Sequence, residues 1–305
     1  MTSMISYSII IPNKNHPELL QRALNSIPAR NDVEIIIIDD NSDPGAVDFT
    51  LYPGKNRDDC KIFFTKEGKG AGYARNIGID NAIGKWLLFL DSDDFFCEGF
   101  LSLLDRHSQS DADIVFFDVT SVDSDTLLHT PRHEDKSEAL ARYKDRADMI
   151  DSYCRYHYFE PWGKMIRREM IVNNGIRFDE TQCANDVMFS VLSGDAARTI
   201  EYDPGVLYCV TTRRQSLSEP LSENPAKASD RLSVKWRLQC FYDSHGIHAY
   251  YFYPFYRHCK ALGGEASLRA ERFVREQRIS RVKLYFNCLR QIIRHKYRIG
   301  LPYCP

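Results

Sequence analysis

Two short runs constrain the fold more than any other feature of the sequence. Residues 34–38, after Glu34 at their start, and 86–90 are apolar on both faces, and each ends abruptly in acidic residues, Asp39-Asp40-Asn41-Ser42 and Asp91-Ser92-Asp93-Asp94. A strand apolar on both faces has to be covered on both sides, which is the condition of a largely parallel sheet wrapped by helices. Residues 7–12, 61–65 and 113–119 read as further strands of this kind. Leu19, Leu20, Ala23, Leu24 and Ile27 recur at helical spacing, and 70–82 and 100–107 read as helices. The expectation is an α/β, Rossmann-like, mostly parallel mixed sheet flanked by helices. In such sheets ligands sit beyond the carboxyl ends of the strands, where both acidic clusters fall.

Beyond residue 120 the pattern loosens. Residues 120–136 are polar and read as a loop, 137–158 and 185–192 have helical character, and 201–211 reads as one or two short strands. Residues 211–229, rich in Ser, Glu, Arg and Pro, read as a mobile loop or linker. The remainder is mainly helical and aromatic. With 43% hydrophobic and 27% charged residues among 305, the chain can build a sizeable core, and global disorder is excluded. No apolar run approaches the ~20 residues of a membrane helix, and Met1-Thr2-Ser3-Met4 does not open a secretory signal. Nine scattered cysteines without a C-x-x-C pair fit a reducing compartment. A soluble cytoplasmic protein is expected.

The net charge of −2 hides an asymmetry. Residues 269–305 carry ten Lys/Arg against two Glu, whereas 1–268 hold 30 basic and 40 acidic residues. On a helical wheel of residues 282–298, Val282, Tyr285, Phe286, Leu289, Ile292, Ile293 and Tyr297 share one side, and Lys283, Arg290, Arg294 and Arg298 the other. A basic amphipathic helix of this kind either lies at an anionic membrane surface or packs its apolar side on the protein. The acidic body argues against nucleic acid as a partner.

Asp91 and Asp93, two residues apart after a strand, project the same way and can address one ion. Paired carboxylate oxygens suit Mg²⁺ or Mn²⁺ bridging to phosphate. The alternative is a turn whose aspartates cap the next helix. For Asp39-Asp40 the alternative is an Asx turn.

Four stretches occur in order around these carboxylates. They are Ile9-Ile10-Ile11-Pro12-Asn13-Lys14-Asn15; Ile35 to Ser42; Gly68-Lys69-Gly70-Ala71-Gly72-Tyr73-Ala74-Arg75 running on to Asp94; and Trp162-Gly163-Lys164, Gly175-Ile176-Arg177-Phe178 and Asn185-Asp186-Val187 together. In this order and spacing, over roughly residues 5–215, the chain resembles the inverting glycosyltransferases of family 2, of bacterial polysaccharide type. The resemblance implies a GT-A fold, with residues 1–215 as the catalytic domain (a nucleotide-sugar half 1–120 and an acceptor half 121–215) and 216–305 as a helical extension. It also implies a UDP-sugar donor, Mn²⁺ or Mg²⁺, and a glycan or lipid-linked oligosaccharide acceptor. Position by position, it places Pro12, Asn15, Asp39, Asp40, Arg75, Asp91 and Ser92 around the nucleotide, with Asp40 on the pyrimidine and Asp39 supporting it. It makes Asp93, with Asp91, the metal ligands and Asp186 the general base. The family usually has Glu before that base; Asn185 stands there instead, which makes acceptor specificity less transferable.

Other features carry two readings each. Arg213 and Arg214 fold over the diphosphate or belong to a solvated basic loop. Trp162 and Lys164 line the sugar cleft or belong to the core, and the aromatic stretch 250–256 stacks on sugars, forms a homodimer contact or packs internally. Two alternative functions remain. The motif Leu88-Phe89-Leu90-Asp91-Ser92-Asp93 also looks like the nucleophile motif of haloacid-dehalogenase-type phosphatases, although those carry it on their first strand. A non-catalytic assembly subunit with a decayed site would use the basic tail to recruit partners.

Overall fold

A computed structural model of the chain describes residues 4–132, 134–213, 227–249 and 251–297. Of the expected loop at 211–229, residues 214–226, and Arg214 with them, lie outside the described residues, as do Tyr250 and Arg298. By internal contacts the chain divides into two compact units. The first is Met1–Glu180 with Phe189–Arg214, and the second is Thr181–Met188 with Gln215–Pro305.

The first unit is built on eight strands: β1 (Tyr7–Asn13), β2 (Val33–Asp39), β3 (Cys60–Phe64), β4 (Trp86–Phe89), β5 (Phe95–Phe96), β6 (Ile114–Asp123), β7 (Lys164–Arg167) and β8 (Ile200–Thr212). They form one sheet in the order β3-β2-β1-β4-β7-β6-β8-β5. β1, β2, β3 and β4 are mutually parallel, with Ile9 opposite Ile35 and Leu88 and Pro12 opposite Ile38. β7 runs antiparallel to both β4 and β6, whereas β6 and β8 are parallel. The expected mostly parallel mixed sheet is therefore present. All seven residues of β1 and of β2 are buried, which is what apolar character on both faces required. Helices α1 (Pro17–Asn25), α2 (Ala71–Asn81), α3 (Phe100–Asp105), α4 (Glu134–Tyr143), α5 (Ala147–Tyr156), α6 (Arg168–Asn173) and α7 (Val187–Ala196) connect or cover the strands.

Close packing of α2 on the sheet depends on Gly78, where a Cβ would lie 2.3 Å from Ile10 Cγ2. Two sequence boundaries shift. β6 continues to Asp123, into the segment read as a loop, because its pairing with β8 runs on to Thr212. For the same reason 201–211 lies within one strand of 13 residues, Ile200–Thr212, irregular where β6 opposes it near Asp118. At the far end of the sheet, buried Glu34 accepts hydrogen bonds from Ser8 Oγ (2.6 Å), Lys61 Nζ (2.8 Å) and the Ile83 amide (2.7 Å). Burial alone would raise its carboxyl; these donors outweigh it and hold it below the usual range.

The second unit contains α8 (Ala228–Ser244), α9 (Phe252–Leu262), α10 (Gly264–Glu276) and α11 (Arg281–Tyr297) around a small core that includes Leu232, Phe252, Tyr253, Cys259 and Ala270. The described part of the aromatic stretch is thus largely internal. Thr181–Met188 groups with this unit rather than with the whole of 1–215. Gln182 donates from its amide to Asp230 Oδ2 (3.2 Å), and Cys183 Sγ lies 3.7 Å from the Lys227 carbonyl.

Candidate active site

β1 has β2 on one side and β4 on the other, so the sheet's topological switch point falls between β1 and β4. The acidic ends of β2 and β4 are two strand spacings apart, about 10 Å. This is the crevice in which parallel sheets bind their ligands.

Asp39 and Asp40 do different work. Asp39 is buried, and its carboxylate accepts from the Ser42 amide (2.8 Å), Ser42 Oγ (2.6 Å), Tyr52 Oη (2.7 Å) and, more weakly, Asn13 Nδ2 (3.4 Å). It is saturated by the protein and shapes the turn after β2. Tyr52, half of this arrangement, has its phenol pushed far up by burial and by Asp39. The same turn is clamped to the end of β1 by Asn15, whose amide donates to Ser42 Oγ (2.8 Å) and whose Oδ1 accepts from the Asp43 amide (2.7 Å). Asn15 holds a left-handed backbone (φ 59°), a conformation Asn tolerates better than most residues. Pro12 is buried in β1 beside it. Asp40 has fewer commitments. Its Oδ2 accepts from the Gly70 amide at the start of α2 (2.7 Å), Thr65 Oγ1 lies 3.5 Å from Oδ1, and the Lys14 ammonium is 3.9 Å away. Gly70, at φ 98°, allows the chain to turn into α2 with that amide aimed at Asp40.

At the end of β4, Asp91 and Asp93 are 30% and 31% exposed, enough to meet a ligand. Arg75 on α2 donates to Asp91 Oδ1 (2.5 Å), and its guanidinium lies over the Phe178 ring at 5.2 Å. Phe178 is itself stacked on Phe189 (3.8 Å between centroids) and fixed by a two-way amide pair with Asn76. Arg213 donates to Asp93 Oδ2 (2.7 Å). Each carboxylate thus has one oxygen held by an arginine and one with no protein donor among the described residues. Ser92 stands half-buried between them. Asp94 points inward and accepts from the Thr211 amide (2.7 Å) and Tyr208 Oη (2.8 Å). Burial first, and then Asp93 and Asp91, push its carboxyl well above the usual range. It belongs to the support of the turn, not to the ligand face.

Several residues of this assembly carry no sequence signal. Arg22 on α1 reaches across to the Asp93 carbonyl (2.5 Å) and the Ser124 carbonyl (2.8 Å), tying the turn after β4 to the end of β6. Thr211 Oγ1 donates to the same Asp93 carbonyl (2.7 Å), and Tyr208 Oη accepts from the Asp91 amide (3.1 Å). Trp162, stacked on Tyr208 at 5.1 Å, and Lys164, which donates to the Tyr158 carbonyl (3.2 Å), are both buried in the core. Asp186 directly precedes α7, in the segment that groups with the second unit, and is half-buried.

The donor set at Asp91 and Asp93 fits a hard divalent cation: two carboxylates in the turn after β4, each with one oxygen that meets no donor among the described residues. Among the described residues no group of three or more His, Cys, Asp or Glu side chains could hold a metal. Two carboxylates are what a cation needs from the protein when phosphate oxygens and water complete its shell.

The fold is that of a mostly parallel α/β protein with carboxylates at the switch point of its sheet. The family model of glycosyl transferase family 2 matches residues 8–174, more than half of the chain, and the protein belongs to that family. It is 41% identical over 162 residues to an uncharacterized glycosyltransferase of Rickettsia conorii, a match covering 52% of this chain and 20% of that protein. It is 36% identical over 104 residues to the GalNAc(5)-diNAcBac-PP-undecaprenol beta-1,3-glucosyltransferase of Campylobacter jejuni, covering 33% and 34% of the two chains. The chain therefore spans about a fifth to a third of the length of these curated relatives. Among solved structures, S. aureus TarS 1-349 in complex with UDP-GlcNAc shares the fold, with a TM-score of 0.59 and 21% identity over 77% of this chain and 65% of that one. The expected GT-A architecture is present.

Proposed function

We propose that the protein is an inverting, metal-dependent glycosyltransferase that moves a sugar from a UDP-sugar to a hydroxyl of a glycan or lipid-linked oligosaccharide in surface polysaccharide synthesis. The observation that carries this reading is the pair Asp91 and Asp93, each with one oxygen held by an arginine and one without a donor among the described residues, at the switch point of a family 2 fold. Support comes from TarS, a structural neighbour observed with UDP-GlcNAc, and from the Campylobacter relative, a glucosyltransferase named for a lipid-linked glycan. The haloacid-dehalogenase reading loses ground because the motif follows β4, not β1.

In this mechanism Asp40 accepts a uracil N–H through Oδ1, since Oδ2 is held by Gly70. Asp39, Tyr52 and Asn15 keep the turn around it rigid. Asp91 and Asp93 would hold a divalent cation, Mn²⁺ or Mg²⁺, which would neutralise charge on the leaving diphosphate. Arg75 fixes Asp91 against the Phe178 ring, and Arg213 balances Asp93 until the diphosphate offers it a second anionic partner. Asp186 takes the proton of the acceptor hydroxyl as its oxygen bonds to the anomeric carbon and the bond from that carbon to UDP breaks. Attack opposite the leaving group converts an α-linked donor into a β-linked product.

A thermal-shift panel of UDP-sugars with and without Mn²⁺ tests the reading. A true donor at a hundredfold excess over its Kd stabilises by about 2.7 kcal/mol, and that shift should require the metal. Failure of every UDP-sugar, together with hydrolysis of a generic phosphate ester, would return Asp91 to the role of a phosphatase nucleophile.

A further inference from the structure

Helix α11 is apolar on two opposite faces. One face holds it to its own unit: Leu284 is buried, Cys288 packs beside the core of that unit, and Asn287 Nδ2 donates to Tyr253 Oη (2.8 Å). At 100° per residue these three positions lie on the side of the helix opposite Val282, Phe286, Leu289 and Ile293. Those four, with Tyr285, are between 39% and 66% exposed. Of the two readings of the stripe, packing on the protein does not describe these five residues: others do the packing, and these face outward.

The charged residues of α11 itself have one sign. Arg281, Lys283 and Arg290 are exposed on the same helix, and the sequence adds Arg294, Lys296 and Arg298. No acidic residue occurs after Glu276. Arg281 and Lys283 also meet Glu271 (2.9 Å) and Asp243 (3.4 Å), exposed pairs of the kind that contributes little and is readily exchanged. The helix has 17 residues, and among the described residues no helix is long and apolar enough to cross a membrane.

We propose that this face of α11 lies on an anionic lipid surface, its aromatic and aliphatic stripe entering the headgroup boundary while the flanking cations meet lipid phosphates. A bilayer offers apolar depth and negative charge in adjacent layers, matching a basic helix with an outward apolar stripe. A second copy of the chain fits less well, because two-fold packing through the stripe would set one cationic helix against another. The inference goes beyond the transferase reading and does not depend on it.

The test is co-sedimentation of the full chain with vesicles of phosphatidylcholine alone and of equal parts phosphatidylcholine and phosphatidylglycerol. Binding is expected only to the anionic vesicles and should weaken as salt is raised. The double variant F286D/L289D should reduce it by about tenfold or more, and R290E by about fivefold. Both variants alter exposed positions, so their circular dichroism and their thermal shift with UDP and Mn²⁺ should match the parent. Equal binding to both vesicles, no binding, or full binding by F286D/L289D would overturn the proposal. So would a sedimenting dimer that F286D/L289D converts to monomer, which would assign the stripe to a second copy. Loss of the UDP response in the parent, with vesicle binding intact, would count against the transferase reading alone.

Discussion

The two ends of the chain use apolar residues in opposite ways. In β1 and β2 every residue is buried, and the strands exist to deliver Asn15, Asp39 and Asp40 to a crevice at fixed spacing. In α11 Val282, Tyr285, Phe286, Leu289 and Ile293 are left outside, and the helix is held by Leu284, Cys288 and Asn287 on its other side. A buried strand transmits a change at any residue to the site at its end, whereas an exposed stripe can change without cost to the fold. Apolar residues thus build a buried sheet in one region and an exposed helix face in the other.

This contrast can be broken or sharpened by substitution. The largest effect is expected at Asp186. Asp186→Asn should lower transfer by about 10²-fold or more, the scale of a lost general base, with UDP affinity near normal; equal transfer rates would place the base elsewhere. Next comes packing beneath the site. Gly78→Ala should cost about 1–3 kcal/mol, because the new methyl meets Ile10 Cγ2, and denaturant unfolding reads it directly. Third is Glu34, whose carboxyl is held low by Lys61 and Ser8. A carboxyl lowered by folding adds stability above its unfolded value and loses it as the pH falls through its folded one. Stability of the parent should therefore decline through the acid range, and E34Q should flatten that decline while being less stable near neutrality. The smallest effect is expected on α11, where F286S should change unfolding free energy by no more than about 0.5 kcal/mol; a large loss would mean that the stripe is structural after all.

Much of the first contrast was legible in the sequence, and the reason is local. Ile35 to Ile38 followed by Asp39-Asp40, and Trp86 to Leu90 followed by Asp91 to Asp94, state both the strand and its end within a few residues. The strand period expected to align Asp91 with Asp93 does not reach them: β4 ends at Phe89, and the Asp94 amide donates to the Asp91 carbonyl (3.0 Å), so both carboxylates stand in a turn. What supports them was not legible. Arg22 meets the Asp93 carbonyl 71 positions away, and Tyr208 meets Asp94 across 114. Nothing near an arginine on a helix or a tyrosine on a strand announces such a partner. For Asp39 and Asp40 the resemblance, not the residues themselves, implied different roles; that Ser42 and Tyr52 hold the Asp39 carboxylate is seen only in the structure. On α11 the wheel separated apolar from basic residues, but only packing shows that Leu284 and Cys288 do the anchoring and the wider stripe does not.

Calorimetric titration of UDP into the parent and into Asp93→Ala, each with and without Mn²⁺, tests the strand-end site most directly. The parent should bind UDP far more tightly with the metal present, and D93A should lose that gain while remaining folded. Metal-independent binding in the parent, or an undiminished metal effect in D93A, would contradict the assignment of these carboxylates.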